Sequence, residues 1–388
     1  MPATKTKNLI YRAALPFMAP SPGPNPIIST EGEPLRREKG FVRLIKKHHV
    51  LGSATMLSFG GRESIVYTGS VNPRRAADAG TMFRVASITK MATALLSLCL
   101  VSEGLLDPDK PVSAYLDMAK PFPAELEGVT LRHLLSHTSG LADPPGMETA
   151  LEAGEPWPLI ISGCRLSGPG EAFHYSNLGF GLVGCVIEAV TGLPLGAVFD
   201  EKLFAPLGMN AVIDASSLDE RIIMPVTRVL PFSRDPGMTK TPLGRHPLTA
   251  PDPLRHYGHT AGSMYTDIHS LAKLLECVRN CGEPLIPAET GGQMLKEHAS
   301  YGKLSPTLSY GLGLLMIRDP MLSPFTICGH QGFAYGCADG AFWEEGTGCT
   351  VITLNGGASE ARTGRLGLLN HDILGWALRE EFPAGEEP

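Results

Sequence analysis

Cysteine is scarce in this chain. There are eight in 388 residues, and most of Cys99, Cys164, Cys185, Cys277, Cys281, Cys328, Cys337 and Cys349 sit inside apolar segments. So sparse a set is not a disulfide framework and reads as reduced, buried thiols. Cys277 and Cys281 lie four apart on an expected helix with no second Cys/His pair nearby, so no metal site is expected. An excess of one charge is lacking too: 33 basic residues face 39 acidic ones, the net charge is −6, and no long basic block occurs. That leaves no electrostatic footprint for a nucleic acid. Long hydrophobic runs are missing. The longest, Met91 to Val101, is broken by Thr93 and Ser97 and falls short of the roughly 18 residues a membrane span needs. Neither Gly-x-Ser-x-Gly nor a glycine-rich phosphate loop occurs, which excludes an α/β-hydrolase nucleophile elbow and gives no sign of a bound nucleotide. Lys5 and Lys7 ahead of Leu9-Ile10-Tyr11 faintly resemble a signal peptide, but Arg12 and Pro16 interrupt it and no small-residue cleavage site follows. The expectation is a cytoplasmic protein with no membrane span and no cofactor, its oligomeric state open.

What is present points to a turn-rich globular protein. Hydrophobic residues make up 43% and charged residues 19%. Glycine (44) and proline (33) together exceed the usual share of about 12%, which argues against a coiled coil or a simple helical bundle. Pro16, Pro20, Pro22, Pro24 and Pro26 mark an extended, poorly ordered lead-in over residues 1–34, because proline blocks helix and sheet ladders alike. Residues 35–48 read as a basic helix, and Ala54 to Phe59 and Ser64 to Thr68 as a hairpin around Gly60-Gly61. Ser87 to Glu103 reads as a helix ended by Gly104. Further helices are expected after Thr130, over about Leu178 to Val190, and around Ile268 to Val278. Leu312–Ile317, Phe333–Cys337, Gly340–Trp343 and Cys349–Leu354 read as strands, followed by a helix over about Glu360–Arg379.

Strands at both ends with helices between them predict an α+β fold. One antiparallel sheet is built from both chain ends and flanked by helices, with a mostly helical second subdomain beside it. The expected division is an α/β part over about 35–110 and 258–380, a helical part over about 111–257, and a solvated acidic tail over 381–388. A cleft between the two parts is the expected site, walled by residues 142–168 and 211–257.

Ser87-Ile88-Thr89-Lys90 at a helix start is the most informative local feature. Residues three apart on a helix share a face, and a serine hydroxyl needs a neighbouring base to become a nucleophile. A lysine one turn away can be that base if burial depresses its pKa. The same tetrapeptide also occurs by chance in many proteins. Pro169-Gly170 precedes Tyr175-Ser176-Asn177, where a tyrosine beside a lysine can act as general base and Asn177 can meet a substrate carbonyl. Gly329-His330-Gln331-Gly332 leads into a β-like run whose edge can hold an acyl chain and lend one N–H to an oxyanion hole. There His330 can donate to substrate or to Tyr175, or it can be a histidine in a glycine-rich turn.

Taken in order, Ser-x-x-Lys, Tyr-x-Asn and His-x-Gly resemble the serine β-lactamase and penicillin-binding-protein superfamily. The likeness is to the branch of class C β-lactamases, D-alanyl-D-alanine carboxypeptidases and related esterases. Phe83 to Lys90, Leu131 to Leu141, Pro206-Leu207-Gly208-Met209 and Ala261 to Tyr265 resemble further stretches of that branch, so the likeness covers about residues 40–375. The resemblance implies that Ser87 is acylated, that Lys90 and Tyr175 share proton transfer with the base left open, and that Asn177 orients the substrate. It also implies an oxyanion hole made by the Ser87 and Phe333 N–H groups. Gln331, Gly332 and Phe333 would line the substrate site with His330, whose titration would make activity pH-dependent between about 5 and 8. His330-Gln331-Gly332 stands where β-lactamases carry Lys-Thr-Gly, which favours a peptidase or esterase. The expected activity is hydrolysis of a small amide or ester, a D-amino-acid peptide or a carboxylic ester. A class C-like β-lactamase and a slow acyl-trapping sensor or scaffold are the alternatives. His133-x-x-x-His137 and His256-x-x-His259 are expected to be structural.

Overall fold

The computed structural model describes residues 10, 13–19, 21–23, 26–116, 121–231, 233–234, 237–245 and 247–382. Its centre is a nine-stranded antiparallel sheet. The strands are β1 (Ile27–Gly32), β2 (Ser53–Phe59), β3 (Arg62–Thr68), β4 (Ala299–Ser300), β5 (Leu308–Tyr310), β6 (Leu315–Ile317), β7 (Ile327–Ala334), β8 (Cys337–Glu344) and β9 (Thr350–Asn355). Their order is β4-β5-β6-β7-β8-β9-β2-β3-β1, so the N-terminal hairpin closes the sheet against the last C-terminal strand.

Both faces of this sheet are covered, and the alternation of side chains shows how. Met56, Ile65, Tyr67, Ile352 and Leu354 point into one core cluster, while Leu57, Val66 and Val351, one residue out of step, point into the other. The second cluster is capped by α1 (Glu38–Lys47) and the C-terminal helix α7 (Leu368–Trp376). The first cluster holds α2 (Thr89–Ser102) and α6 (Ile268–Arg279). Every residue of α2 from Thr89 to Leu100 is buried, Thr89, Lys90, Thr93 and Ser97 included, so this helix has no solvent face over that stretch. Beyond it lie α3 (Leu131–Leu135), α4 (Met147–Glu152) and α5 (Asn177–Thr191). No single helix among the described residues is long and apolar enough to cross a membrane.

The architecture is the expected α+β arrangement, with local differences. Part of the expected extended lead-in is structured: β1 is the edge strand paired with β3, and Met18–Ala19 pairs with Val229–Pro231. The expected strand Phe333–Cys337 is instead the end of β7, a turn at Tyr335-Gly336, and the start of β8. Tyr335 takes a left-handed φ of 56° there, a conformation that β-propensity does not anticipate. The helix expected from Glu360 starts at Leu368, after the short hairpin Arg362–Thr363 and Leu366–Gly367. Glu381, expected to begin a solvated tail, is instead buried. Glu381 is 1% exposed, and its carboxylate accepts from the backbone N–H groups of Arg36 and Arg37, at 2.8 and 2.7 Å. Residues 383–388 lie outside the described residues.

Candidate active site

The turn before α2 presents Ser87 under strain and under restraint. Ala86 has φ 45°, a left-handed conformation that a residue with a Cβ adopts only when its surroundings hold it there. The holding is done by the segment 261–264. Val85 N–H donates to Met264 O, and the Thr89 hydroxyl donates to Ala86 O while accepting from Met264 N–H. Strand β7 presses on the same turn. A Cβ at Gly332 would stand 2.3 Å from Val85 O, so only glycine lets the strand lie this close to the nucleophile.

Two side chains converge on the serine. Tyr175 Oη donates to Ser87 Oγ at 2.8 Å. Lys90 Nζ lies 3.2 Å from the same oxygen, 2.9 Å from Asn177 Oδ1 and 2.7 Å from Ala261 O. It also lies 4.9 and 5.4 Å from the ring centroids of Tyr175 and Phe180. Lys90 is fully buried, and burial pulls its pKa down to about 7; Asp143 pulls it up and Arg84 down, each less strongly than burial. Burial drives Tyr175 the other way, well above the usual phenol range, so the resting hydroxyl keeps its proton. The adjacent lysine does not lower it, contrary to the sequence expectation.

Asn177 is held from both ends. Its amide oxygen faces Lys90, and its Nδ2 donates to Asp143 Oδ2 at 2.9 Å. Asp143 also accepts from the Ser176 hydroxyl and from Leu178 N–H at the start of α5. Asp143 was not singled out in the sequence. The available signal was its place three residues after Gly140, in a loop whose importance the glycine already marked. Gly140 has φ 78°, and a Cβ on it would stand 2.1 Å from Ser167 O.

His137 holds Tyr175 in place. Its ring centroid is 4.3 Å from that of Tyr175, and its Nδ1 accepts from Ser176 N–H at 3.1 Å. His133 does separate work: it forms a capping box with Thr130 at the start of α3. His256 pairs with the buried Glu188 at 2.9 Å.

The second motif wall differs from expectation. His330 lies inside β7 and is 3% exposed. Its Nδ1 is 2.7 Å from Gln331 O, and a carbonyl only accepts, so Nδ1 carries the proton. Nε2 therefore accepts from the Tyr310 hydroxyl, at 2.8 Å. Burial pushes the His330 pKa down to about 3, so the ring stays neutral through the range where it was expected to titrate. It bonds to Tyr310 and not to Tyr175, and it does not line the cleft. The Gln331 side chain is committed elsewhere: Nε2 donates to Arg365 O, and Oε1 accepts from Gly367 N–H. Phe333 does reach the cleft.

That cleft has a volume of about 390 Å³ and opens over Ser87 and Asn177. Both segments expected to wall it contribute: Asp143, Met147 and Leu151 from 142–168, and Arg228, Thr241 and Leu243 from 211–257. The sequence marks Arg84 only as part of the Phe83 to Lys90 stretch, and it gives Arg228 and Tyr335 no role at the site.

A serine bonded by a tyrosine and a desolvated lysine, at the foot of a cleft beside an antiparallel strand, is the equipment of a serine hydrolase. A family profile described as Beta-lactamase matches residues 38–356, and the chain belongs to that family. It is 28% identical over 325 residues to esterase EstB of Burkholderia gladioli, covering 76% of this chain and 82% of that protein. Among solved structures, EstCE1, a hydrolase with promiscuous acyltransferase activity, superposes with a TM-score of 0.69 at 22% identity, over 87% of this chain and 96% of that one. A D-stereospecific amidohydrolase from Streptomyces sp. superposes with a TM-score of 0.64 at 23% identity, over 84% and 93%.

Proposed function

We propose that this β-lactamase-related serine hydrolase forms its acyl-enzyme at Ser87, with Lys90 as the base, and that its substrates are small esters or amides. The observation that carries this reading is the hydrogen-bond set of Lys90. Two of its three neighbours, Asn177 Oδ1 and Ala261 O, are pure acceptors. A neutral amine has two N–H bonds and one lone pair. With the two N–H bonds given to those oxygens, the lone pair faces Ser87 Oγ. Burial that draws the lysine pKa to about 7 keeps a large neutral fraction near neutrality.

In the first step the Ser87 proton passes to Lys90 as Oγ attacks the substrate carbonyl. The N–H groups of Ser87 and Phe333 receive the developing oxyanion. The leaving group needs that proton back, and Tyr175, bonded to the same Oγ, is the group placed to hand it on. Asn177, oriented by Lys90 and Asp143, meets the acyl portion. Water then attacks the acyl-enzyme and releases the acid. The likeness to an esterase in sequence supports ester substrates.

A fluorophosphonate probe is expected to label the wild-type protein and to leave Ser87→Ala unlabelled, with p-nitrophenyl ester turnover falling by roughly 10⁴-fold or more. Equal labelling of the two proteins would remove Ser87 from the mechanism.

A further inference from the structure

One wall of the cleft carries two guanidinium groups that no carboxylate among the described residues pairs with. Arg84, at the end of the short strand Phe83–Arg84, and Arg228, on the loop before Val229–Pro231, both line the cleft. They flank the Tyr335 ring, with Arg84 Cζ 5.3 Å and Arg228 Cζ 5.8 Å from its centroid. Among the described residues neither arginine makes an ion pair. Arg84 Nε and Nη1 are buried with no hydrogen-bond acceptor. Asp339 is close enough for the Arg84 charge to act on it, but the two make no ion pair, and burial raises the Asp339 carboxyl well above its usual range. Arg84 is half-buried and Arg228 is exposed, so the cost of taking a guanidinium out of water without a partner falls on Arg84. The cost is met when a ligand supplies the partner, and a planar fork of N–H donors matches a carboxylate.

The rest of the cleft gives this charge a direction. Asp143, Glu148 and Glu152 also line the cleft, on and before α4, and none of them pairs with either arginine. A ligand bearing an anion is repelled by these carboxylates and drawn to the arginines at the turn between β7 and β8. The left-handed Tyr335 at this turn is braced by both arginines, so the same contacts that shape the wall also concentrate its positive charge.

We propose that Arg84 and Arg228, on either side of Tyr335, form an anion subsite of the cleft, and that the preferred substrates are esters or amides bearing a carboxylate. This rests on the hydrolase reading above and narrows its substrate class. The carboxylate can belong to the acyl portion or to the leaving group, and the chemistry of recognition is the same.

The test pairs substrates that carry the carboxylate with close analogues that lack it. Mono-p-nitrophenyl glutarate is compared with p-nitrophenyl pentanoate for an acyl-side anion, and 4-acetoxybenzoate with phenyl acetate for a leaving-group anion. The wild type is expected to favour the anionic member of one pair by at least about tenfold in kcat/KM, the scale of one charge-assisted contact. Arg228→Gln is expected to bring that ratio close to one, and Arg228→Lys to keep most of it. Arg84→Gln is expected to lower the ratio as well. Arg84 also acts on Lys90, and the ratio cancels that effect because both esters share the same base. Free glutarate and benzoate are tested separately for slowing fluorophosphonate labelling of Ser87, in the wild type and in Arg228→Gln. Arg228-dependent protection without turnover of any ester would support the subsite and defeat the ester reading. Turnover with no anion preference in either pair, and no protection, would overturn the subsite and leave the hydrolase standing.

Discussion

The two walls that meet at Ser87 are specified in opposite ways. On the helical wall, side chains do the specifying: Lys90, Tyr175, Asn177 and Asp143 form one connected set of hydrogen bonds, and each has a definite partner. On the strand wall the important feature near Ser87 is a missing side chain, at Gly332. Its neighbours His330 and Gln331 turn to Tyr310 and to the 362–367 hairpin. Polar residues at a site therefore need not face substrate. A strand alternates its side chains, so only some positions of a motif can point into a cleft. The others serve by fixing where the backbone lies.

The sharpest way to break this comparison is to put a side chain on the strand wall. Gly332→Val should push β7 away from Val85 O and misplace the Phe333 N–H. A shift of this kind is expected to lower kcat by roughly 10²-fold, with far-ultraviolet circular dichroism confirming that the fold remains. Near-normal turnover would show that the close approach is dispensable.

The next test asks which wall titrates. With the Lys90 pKa held near 7, the neutral base accumulates as pH rises through that value. The kcat/KM profile is thus expected to climb by about tenfold per pH unit below 7 and then level off. Asp143 holds the lysine pKa up, so Asp143→Asn should move the rising limb to lower pH. His330→Gln should leave the limb near 7, because the ring is already neutral there. A limb that disappears with His330 would return the titration to the strand wall.

The smallest effect is expected at Gln331. Removing its amide in Gln331→Leu breaks two hydrogen bonds to the 362–367 hairpin, each worth about 1 kcal/mol. The melting temperature should drop by a few degrees while KM stays close to the wild-type value. A large rise in KM with unchanged stability would place this side chain at the substrate after all.

Much of the architecture was legible without coordinates. The hairpin around Gly60-Gly61, the buried helix after Ser87 and the strands near the C-terminus follow from alternation, apolar content and helix-ending glycines, all of which are local signals. Local signals failed where the chain turns against its own propensity. Tyr335 lies in a run that reads as a strand, yet it turns in a left-handed conformation, braced by arginines from two distant segments.

By itself the sequence determined which residues could do chemistry. Ser87 and Lys90 share a helix face because of their spacing alone, and Tyr175 and Asn177 arrive together on one loop. Only the tertiary structure decided their states. The pKa of Lys90 depends on burial by segments 87 and 171 residues away. The neutrality of His330 depends on its burial, and its tautomer on the Gln331 carbonyl, with Tyr310 across the sheet fixing what Nε2 meets. That Arg84 and Arg228 lack an ion pair among the described residues depends on which carboxylates the fold brings beside them. Desolvation and pairing are properties of neighbours in space, and a linear pattern does not carry them.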